Sequence, residues 1–98
     1  MNRTDVLAKM NSNIDRIRQF GAEKIGLFGS VARSEETTGS DLDILVRFAS
    51  GSKTFDNFMG LKFYLESLFP GYSIDLVIEE TLKPRIKDVV SKETIYAS

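Results

Sequence analysis

The chain begins with a segment whose apolar residues have helical spacing. They recur at steps of three and four, as on one face of a helix: Leu7, Met10, Ile14 and Ile17. Thr4 is suited to cap such a helix and Gly21 to end it. We therefore predict a first helix over residues 5–20.

Three short apolar runs further along the chain have the length and spacing of strands. We predict strands over residues 23–28 (EKIGLF), 41–48 (DLDILVRF) and 72–78 (YSIDLVI). Since successive strand residues point to opposite faces, Asp41 and Asp43 share one face of the second strand. Asp75 lies opposite the apolar face of the third, which holds Ile74, Leu76 and Ile78.

Helical segments separate and follow these strands. One or two helical turns are predicted over residues 31–35, and a longer helix runs from a cap at Thr54 to Pro70. Thr81 is expected to cap a last helix, with an apolar face made of Leu82, Ile86, Val89 and Val90. The predicted order is α-β-α-β-α-β-α, and the length of 98 residues predicts one domain over residues 1–98.

Composition narrows the chemistry. The chain has no His and no Cys, which excludes a Ser-His-Asp triad, a thiolate nucleophile and imidazole or thiolate metal ligands. The net charge of −1 argues against direct, nonspecific binding of nucleic acid. No signal peptide or membrane span is visible, so we expect no membrane association and a cytoplasmic location.

Gly29 and Ser30 form the first candidate feature. They stand at the end of the first strand and before a helical segment, where free backbone N–H groups can bind an anion. By itself, a Gly-Ser pair at the end of a strand is also an ordinary turn.

Three aspartates form the second candidate feature. Asp41 and Asp43 place two carboxylates on one strand face, an arrangement suited to Mg²⁺, although an exposed strand entry would also explain it. Asp75 lies within the most apolar strand, where an unpaired carboxylate is costly unless that face meets solvent. Together with Gly29 and Ser30, these residues would provide the groups needed for phosphoryl or nucleotidyl transfer with two divalent ions.

The segment GLFGSVARSEETTGSDLDILVRF, residues 26–48, resembles the signature of the nucleotidyltransferase superfamily: Gly-Ser, ten residues, then Asp-x-Asp. Asp75 matches the third carboxylate of that superfamily. The small size and the tail IDLVIEETLKPRIKDVV are similar to the minimal nucleotidyltransferases, or MntA-like antitoxins. The resemblance implies an α/β (α+β) fold with a three-stranded mixed sheet flanked by about four helices.

The resemblance also implies residue roles. Asp41, Asp43 and Asp75 match the catalytic carboxylates and ligands of two Mg²⁺ ions, and Gly29 and Ser30 match the phosphate-binding pair. Arg33 matches an Arg often found three residues after that Ser, although a surface ion pair with Glu35 or Glu36 is the alternative. Related sequences often read Ala-Arg-Gly where this chain has Ala32-Arg33-Ser34.

In the antitoxin branch, the resemblance implies transfer of AMP from ATP to a tyrosine hydroxyl of a partner toxin of the HEPN ribonuclease family, which silences the toxin. The chain would then act in a hetero-oligomer with that toxin. One alternative is an antitoxin that masks its toxin by contact alone. The other is an enzyme that adenylylates small molecules, which we rank last because such enzymes usually carry a further acceptor domain.

Overall fold

The computed structural model reproduces the predicted alternation of helices and strands and adds one strand at the end. The structure describes residues 1–37 and 39–98. Its elements in chain order are α1 (Arg3–Ser12), α2 (Ile14–Arg18), β1 (Ala22–Phe28), α3 (Gly29–Ala32), β2 (Leu42–Phe48), α4 (Phe55–Leu68), β3 (Ile74–Ile78), a 3-10 turn (Glu79–Thr81), α5 (Pro84–Glu93) and β4 (Ile95–Tyr96).

The strands form one mixed sheet in the order β3-β2-β1-β4. β1 is antiparallel to both β2 and β4, whereas β2 and β3 are parallel, so α4 connects two strands that run in the same direction. The fold class and the mixed sheet are confirmed, but the sheet has four strands instead of the predicted three. The fourth strand has only two residues, which is too short for a recognisable alternation of polar and apolar positions.

Gly26 in β1 allows β4 to lie close to the backbone of β1. A Cβ at this position would overlap the Thr94 side chain and would lie 2.8 Å from the Ile95 carbonyl oxygen. β4 then pairs through Tyr96 with Gly26 and through Ile95 with Leu27. The glycine therefore allows the end of the chain to dock against the centre of β1.

One apolar cluster joins the sheet to α1, α2, α3 and α4. Burying these side chains supplies most of the favourable free energy of folding and fixes which face of each strand points inward. The fully buried members of the cluster with the largest side chains are Phe69, Met10, Ile17, Ile25, Leu27, Leu42, Ile44, Leu61 and Leu65.

The predicted single N-terminal helix is in fact two helices, and Thr4 is not its cap. Asn2 caps α1 instead, because its side chain accepts a hydrogen bond from the Asp5 N–H at 2.9 Å. The helix is interrupted at Asn13, whose amide donates to the Lys9 carbonyl at 2.8 Å and accepts from the Tyr64 hydroxyl at 3.1 Å. A contact with a residue 51 positions away, on α4, thus accompanies the break.

The predictions for α4 and α5 differ in outcome. Thr54 caps α4 as predicted, and Phe55, the first residue of the helix, is 77% exposed. Thr81 does not cap α5; it lies in the 3-10 turn, and Pro84 occupies the first turn of the helix. The predicted apolar face of α5 is not buried. Over the described parts of the chain, no helix combines the length and hydropathy needed to cross a bilayer.

Candidate active site

The parallel register of β2 and β3 brings two of the three predicted aspartates together. Asp43 pairs directly with Asp75 across the two strands, and neighbouring strands lie about 4.8 Å apart. Asp41 precedes β2 by one residue and, by strand alternation, lies on the same face as Asp43. On the opposite face, Leu42 and Ile74 are buried in the core, which fixes the orientation of both strands.

Burial raises the pKa of the Asp43 carboxyl, and the charges of Asp75 and Asp41 raise it further. A hydrogen bond with Asp75 acts in the same direction, while the positive charge of Arg33 opposes these effects. Asp43 is partly buried, whereas Asp41 and Asp75 are exposed. The three carboxylates therefore repel one another, and a cation bound between them would relieve that repulsion.

This raised pKa predicts a pH dependence of stability in a chelating buffer. Below about pH 4 the Asp43 carboxyl is neutral in both the folded and the unfolded chain, so it carries no penalty. As the pH rises through the folded-state pKa, the native chain must ionise Asp43 against its neighbours and loses stability. We expect Asp43→Asn to reduce this loss and to raise the melting temperature at pH 7 by about 2–4 °C, a modest gain because solvent screens the site.

Thermal denaturation between pH 4 and pH 8 measures this effect. Asp88→Asn is a matched control, because Asp88 is an exposed carboxylate on α5 that pairs with Lys92 at 3.3 Å. Parallel profiles for the wild-type chain and Asp43→Asn would contradict the expected repulsion.

The chemistry of the three carboxylates suits a hard divalent cation. Mg²⁺ prefers oxygen ligands and usually takes one or two carboxylates together with substrate phosphates. Across residues 1–37 and 39–98, no three His, Asp or Glu side chains are already placed to hold one ion. The adjacent pair Asp43 and Asp75 is thus the part of the site that the fold forms in advance, and it fits an ion whose other ligands come from a nucleotide.

Gly29 adjoins this pair at the end of β1. Its φ of +76° lies in the left-handed region that favours glycine, and a Cβ here would overlap the Asp43 carboxylate. Phe28, the residue before it, pairs with Asp43 across the sheet. The start of α3, formed by Gly29 and Ser30, therefore lies directly beside the Asp43 carboxylate.

Core packing and hydrogen bonds hold the short helix α3 in place. Its Val31 and Ala32 are buried in the core, and the Ala32 carbonyl accepts a hydrogen bond from Arg3 on α1 at 3.0 Å. The Gly29 carbonyl accepts from the Arg33 N–H at 3.1 Å, and the Ser30 carbonyl accepts from the Glu35 N–H at 2.8 Å. The carbonyl groups of Gly29 and Ser30 thus already accept hydrogen bonds within the protein.

Arg33 forms ion pairs with two carboxylates. Its Nε lies 3.2 Å from a Glu35 carboxylate oxygen, which is the ion pair that the sequence offered as an alternative. A second guanidinium nitrogen lies 3.0 Å from a Glu93 carboxylate oxygen. The same Glu93 oxygen accepts a hydrogen bond from the Gly29 N–H at 2.8 Å. Sequence reasoning missed Glu93, because it is 64 residues from Gly29 and no local pattern marks it.

Ser34 has a φ of +59°, the only positive φ among the described residues other than glycine. The resemblance places a Gly here, and the backbone explains why a Gly suits this position. We expect Ser34→Gly to increase the free energy of unfolding by about 1 kcal/mol, because it removes the strain of a left-handed side-chain residue. Urea denaturation measures this gain, and a loss of stability would contradict it.

An open cleft of about 660 Å³ lies near the starts of β2 and β3. Ser40, the residue before Asp41, and Ser73, two residues before Asp75, both line it, but none of the three aspartates does.

A Gly-Ser pair at the end of a strand beside two paired strand carboxylates is the arrangement that the sequence resemblance implies, and comparison with known proteins supports the same class. The family model for the Nucleotidyltransferase domain matches residues 9–97, and the chain belongs to this family. This confirms the resemblance stated from the sequence and the prediction that the chain is a nucleotidyltransferase enzyme.

Individual relatives narrow the similarity. The protein adenylyltransferase MntA of Thermococcus cleftensis is 41% identical over 78 residues, which are 80% of this chain and 77% of that protein. A solved structure described as a minimal nucleotidyltransferase has a TM-score of 0.84 and 37% identity, covering 97% of this chain and 95% of the other. A crystal structure of a toxin-antitoxin with AMP-PNP has a TM-score of 0.65 at 24% identity over 88% of this chain and 70% of the other, which shows a shared fold.

Proposed function

We propose that this protein is an adenylyltransferase antitoxin that transfers AMP from ATP to a tyrosine hydroxyl of a partner toxin of the HEPN ribonuclease family. The observation that carries the proposal is the in-register pair Asp43 and Asp75 beside Gly29 at the start of α3. The 41% identical relative is named a protein adenylyltransferase, and the toxin-antitoxin with AMP-PNP has the same fold.

The proposed reaction forms one bond and breaks one. The tyrosine oxygen attacks the α-phosphorus of ATP, the bond from that phosphorus to the bridging oxygen of the β-phosphate breaks, and pyrophosphate leaves. Asp75, which is exposed on the carboxylate face, accepts the tyrosine proton. Ser30, the Gly29 N–H and Arg33 bind the phosphate oxygens of the nucleotide.

Asp41, Asp43 and Asp75 would hold Mg²⁺, as two ions. When bound, Mg²⁺ would offset the negative charge of the triphosphate and of the leaving pyrophosphate. The carboxylates fix where that charge is neutralised, because Asp43 and Asp75 are held by two paired strands.

Label transfer tests the proposal. The chain is incubated with Mg²⁺, ATP labelled at the α-phosphate and the HEPN-family toxin proposed as its partner, and the toxin is then analysed by mass spectrometry. We expect an added AMP on a tyrosine and loss of the toxin's ribonuclease activity. A folded chain that transfers no label would contradict the proposal.

A second candidate is an antitoxin that masks its toxin by contact alone. The exposed apolar side chains favour it, since such side chains are typical of protein interfaces. Several lie on α4 and α5, namely Phe55, Phe63, Ile86 and Val89.

A further inference from the structure

Helix α5 makes few apolar contacts with the rest of the protein. None of its residues is buried, and its Ile86 and Val89 are 50% and 63% exposed. Helix α4, by contrast, fully buries Leu61 and Leu65. A helix without buried side chains opens at low cost in free energy, so polar contacts must contribute much of what holds α5 in place.

Glu93, the last residue of α5, makes such contacts with Gly29 at the start of α3 and with Arg33 at its end. One oxygen of its carboxylate accepts hydrogen bonds from the Gly29 N–H at 2.8 Å and from the Arg33 guanidinium at 3.0 Å. The side chain is 28% exposed, so the carboxylate is partly shielded from water. Both bonds involve charged groups, which makes them stronger than hydrogen bonds between neutral groups.

These two donors are the ones that the proposed function assigns to the phosphate groups of ATP. A carboxylate oxygen and a phosphate oxygen are both anionic acceptors, and the same N–H hydrogen cannot be bonded at full strength to both. Glu93 therefore stands where a phosphate group of the nucleotide would bind.

We infer that Glu93 is an internal competitor of the nucleotide, so that ATP binds only when the Glu93 contact opens and α5 is released. This inference rests on the proposed function. The apparent affinity for ATP equals the intrinsic affinity multiplied by the fraction of molecules in which the contact is open. A closed form populated about ten to one therefore weakens ATP binding about tenfold.

Calorimetric titration of the whole chain with a nonhydrolysable ATP analogue and Mg²⁺ tests the inference. We expect Glu93→Ala to bind the analogue about tenfold more tightly than the wild-type chain, and Glu93→Gln to lie between the two because its amide oxygen still accepts weakly. Glu35→Gln is the charge-matched control. It removes another carboxylate bonded to Arg33 but leaves the Gly29 N–H occupied, so its effect should be about twofold or less.

Hydrogen exchange provides a second readout. Nucleotide binding to the wild-type chain should increase amide exchange in residues 84–93, because α5 is released. In Glu93→Ala these amides should exchange rapidly with or without nucleotide.

Each outcome decides one question. If Glu93→Ala bound the analogue more weakly than the wild-type chain, Glu93 would support the start of α3 instead of competing with the nucleotide. If Glu35→Gln increased the affinity as much as Glu93→Ala, the cause would be a general effect of charge. Either result would overturn the inference that Glu93 competes with the nucleotide. Unchanged exchange of α5 on nucleotide binding overturns its release. If neither the wild-type chain nor Glu93→Ala binds the analogue, the proposed function fails; if both bind it equally, only the inference fails.

Discussion

Replacing Asp41 and Asp43 together with Asn is expected to reduce AMP transfer to the toxin by on the order of 10³-fold or more while the chain stays folded. Asn has nearly the shape of Asp but no charge, so the variant loses two of the carboxylates that we propose hold Mg²⁺. The same change removes the burial of a charge and the repulsion from Asp75 and Asp41, which together raise the pKa of Asp43, and the fold should therefore not weaken. Transfer of labelled AMP measures the first effect and thermal denaturation the second.

A control with the same change in charge is available on the protein surface. Asp15 and Asp88 are exposed partners in helical ion pairs, and Asp15→Asn with Asp88→Asn should leave transfer unchanged. If the Asp41 and Asp43 variant transfers AMP as fast as this control, these aspartates are not the catalytic carboxylates.

The same double variant separates the two candidate functions. An adenylyltransferase antitoxin without Asp41 and Asp43 should leave the toxin's ribonuclease activity intact. An antitoxin that acts by contact alone would still inhibit the toxin in stoichiometric amounts, and that result would favour the second candidate.

Gly29→Ala is expected to have the second largest effect. The left-handed φ of +76° costs a residue with a side chain about 1–2 kcal/mol, and the added methyl group overlaps the Asp43 carboxylate. Moving that carboxylate or the loop by about 1 Å would misplace the phosphate groups and lower the transfer rate about 100-fold. Urea denaturation and label transfer measure the two effects.

Gly51 provides a matched control for the backbone strain. Its φ is +79°, close to that of Gly29, but within residues 1–37 and 39–98 no atom other than those of Gly51 and its two chain neighbours lies within 4 Å of the position that a Cβ would take. Gly51→Ala should therefore lose a similar free energy to backbone strain and keep its transfer activity. If Gly29→Ala and Gly51→Ala transferred AMP at the same rate, the crowding between Gly29 and Asp43 would have no functional role.

Features that depend on neighbouring residues were predictable from the sequence. The alternation along β2 and β3 placed Asp43 and Asp75 on the faces opposite the core side chains, and Thr54 was recognised as the cap of α4. The short helical segment after β1 was also predicted, although it spans Gly29–Ala32 instead of residues 31–35.

Features that depend on distant residues were not predictable in this way. The break at Asn13 involves Tyr64, which is distant in the sequence. The exposure of α5 depends on which elements of the folded chain pack against it. Glu93 meets Gly29 and Arg33 only after the whole chain has folded. The sequence thus indicated which carboxylates face away from the core, whereas the register that aligns them came from the structure.

The parallel pairing of β2 with β3 makes catalysis sensitive to strand alignment. Sliding β3 by one residue would turn Asp75 towards the core and push Ile74 and Leu76 out to solvent, because side chains alternate along a strand. A molecule with misaligned strands could keep its helices and still be inert. The catalytic activity of the protein would therefore report on correct assembly of the sheet more sharply than its helical circular dichroism signal does.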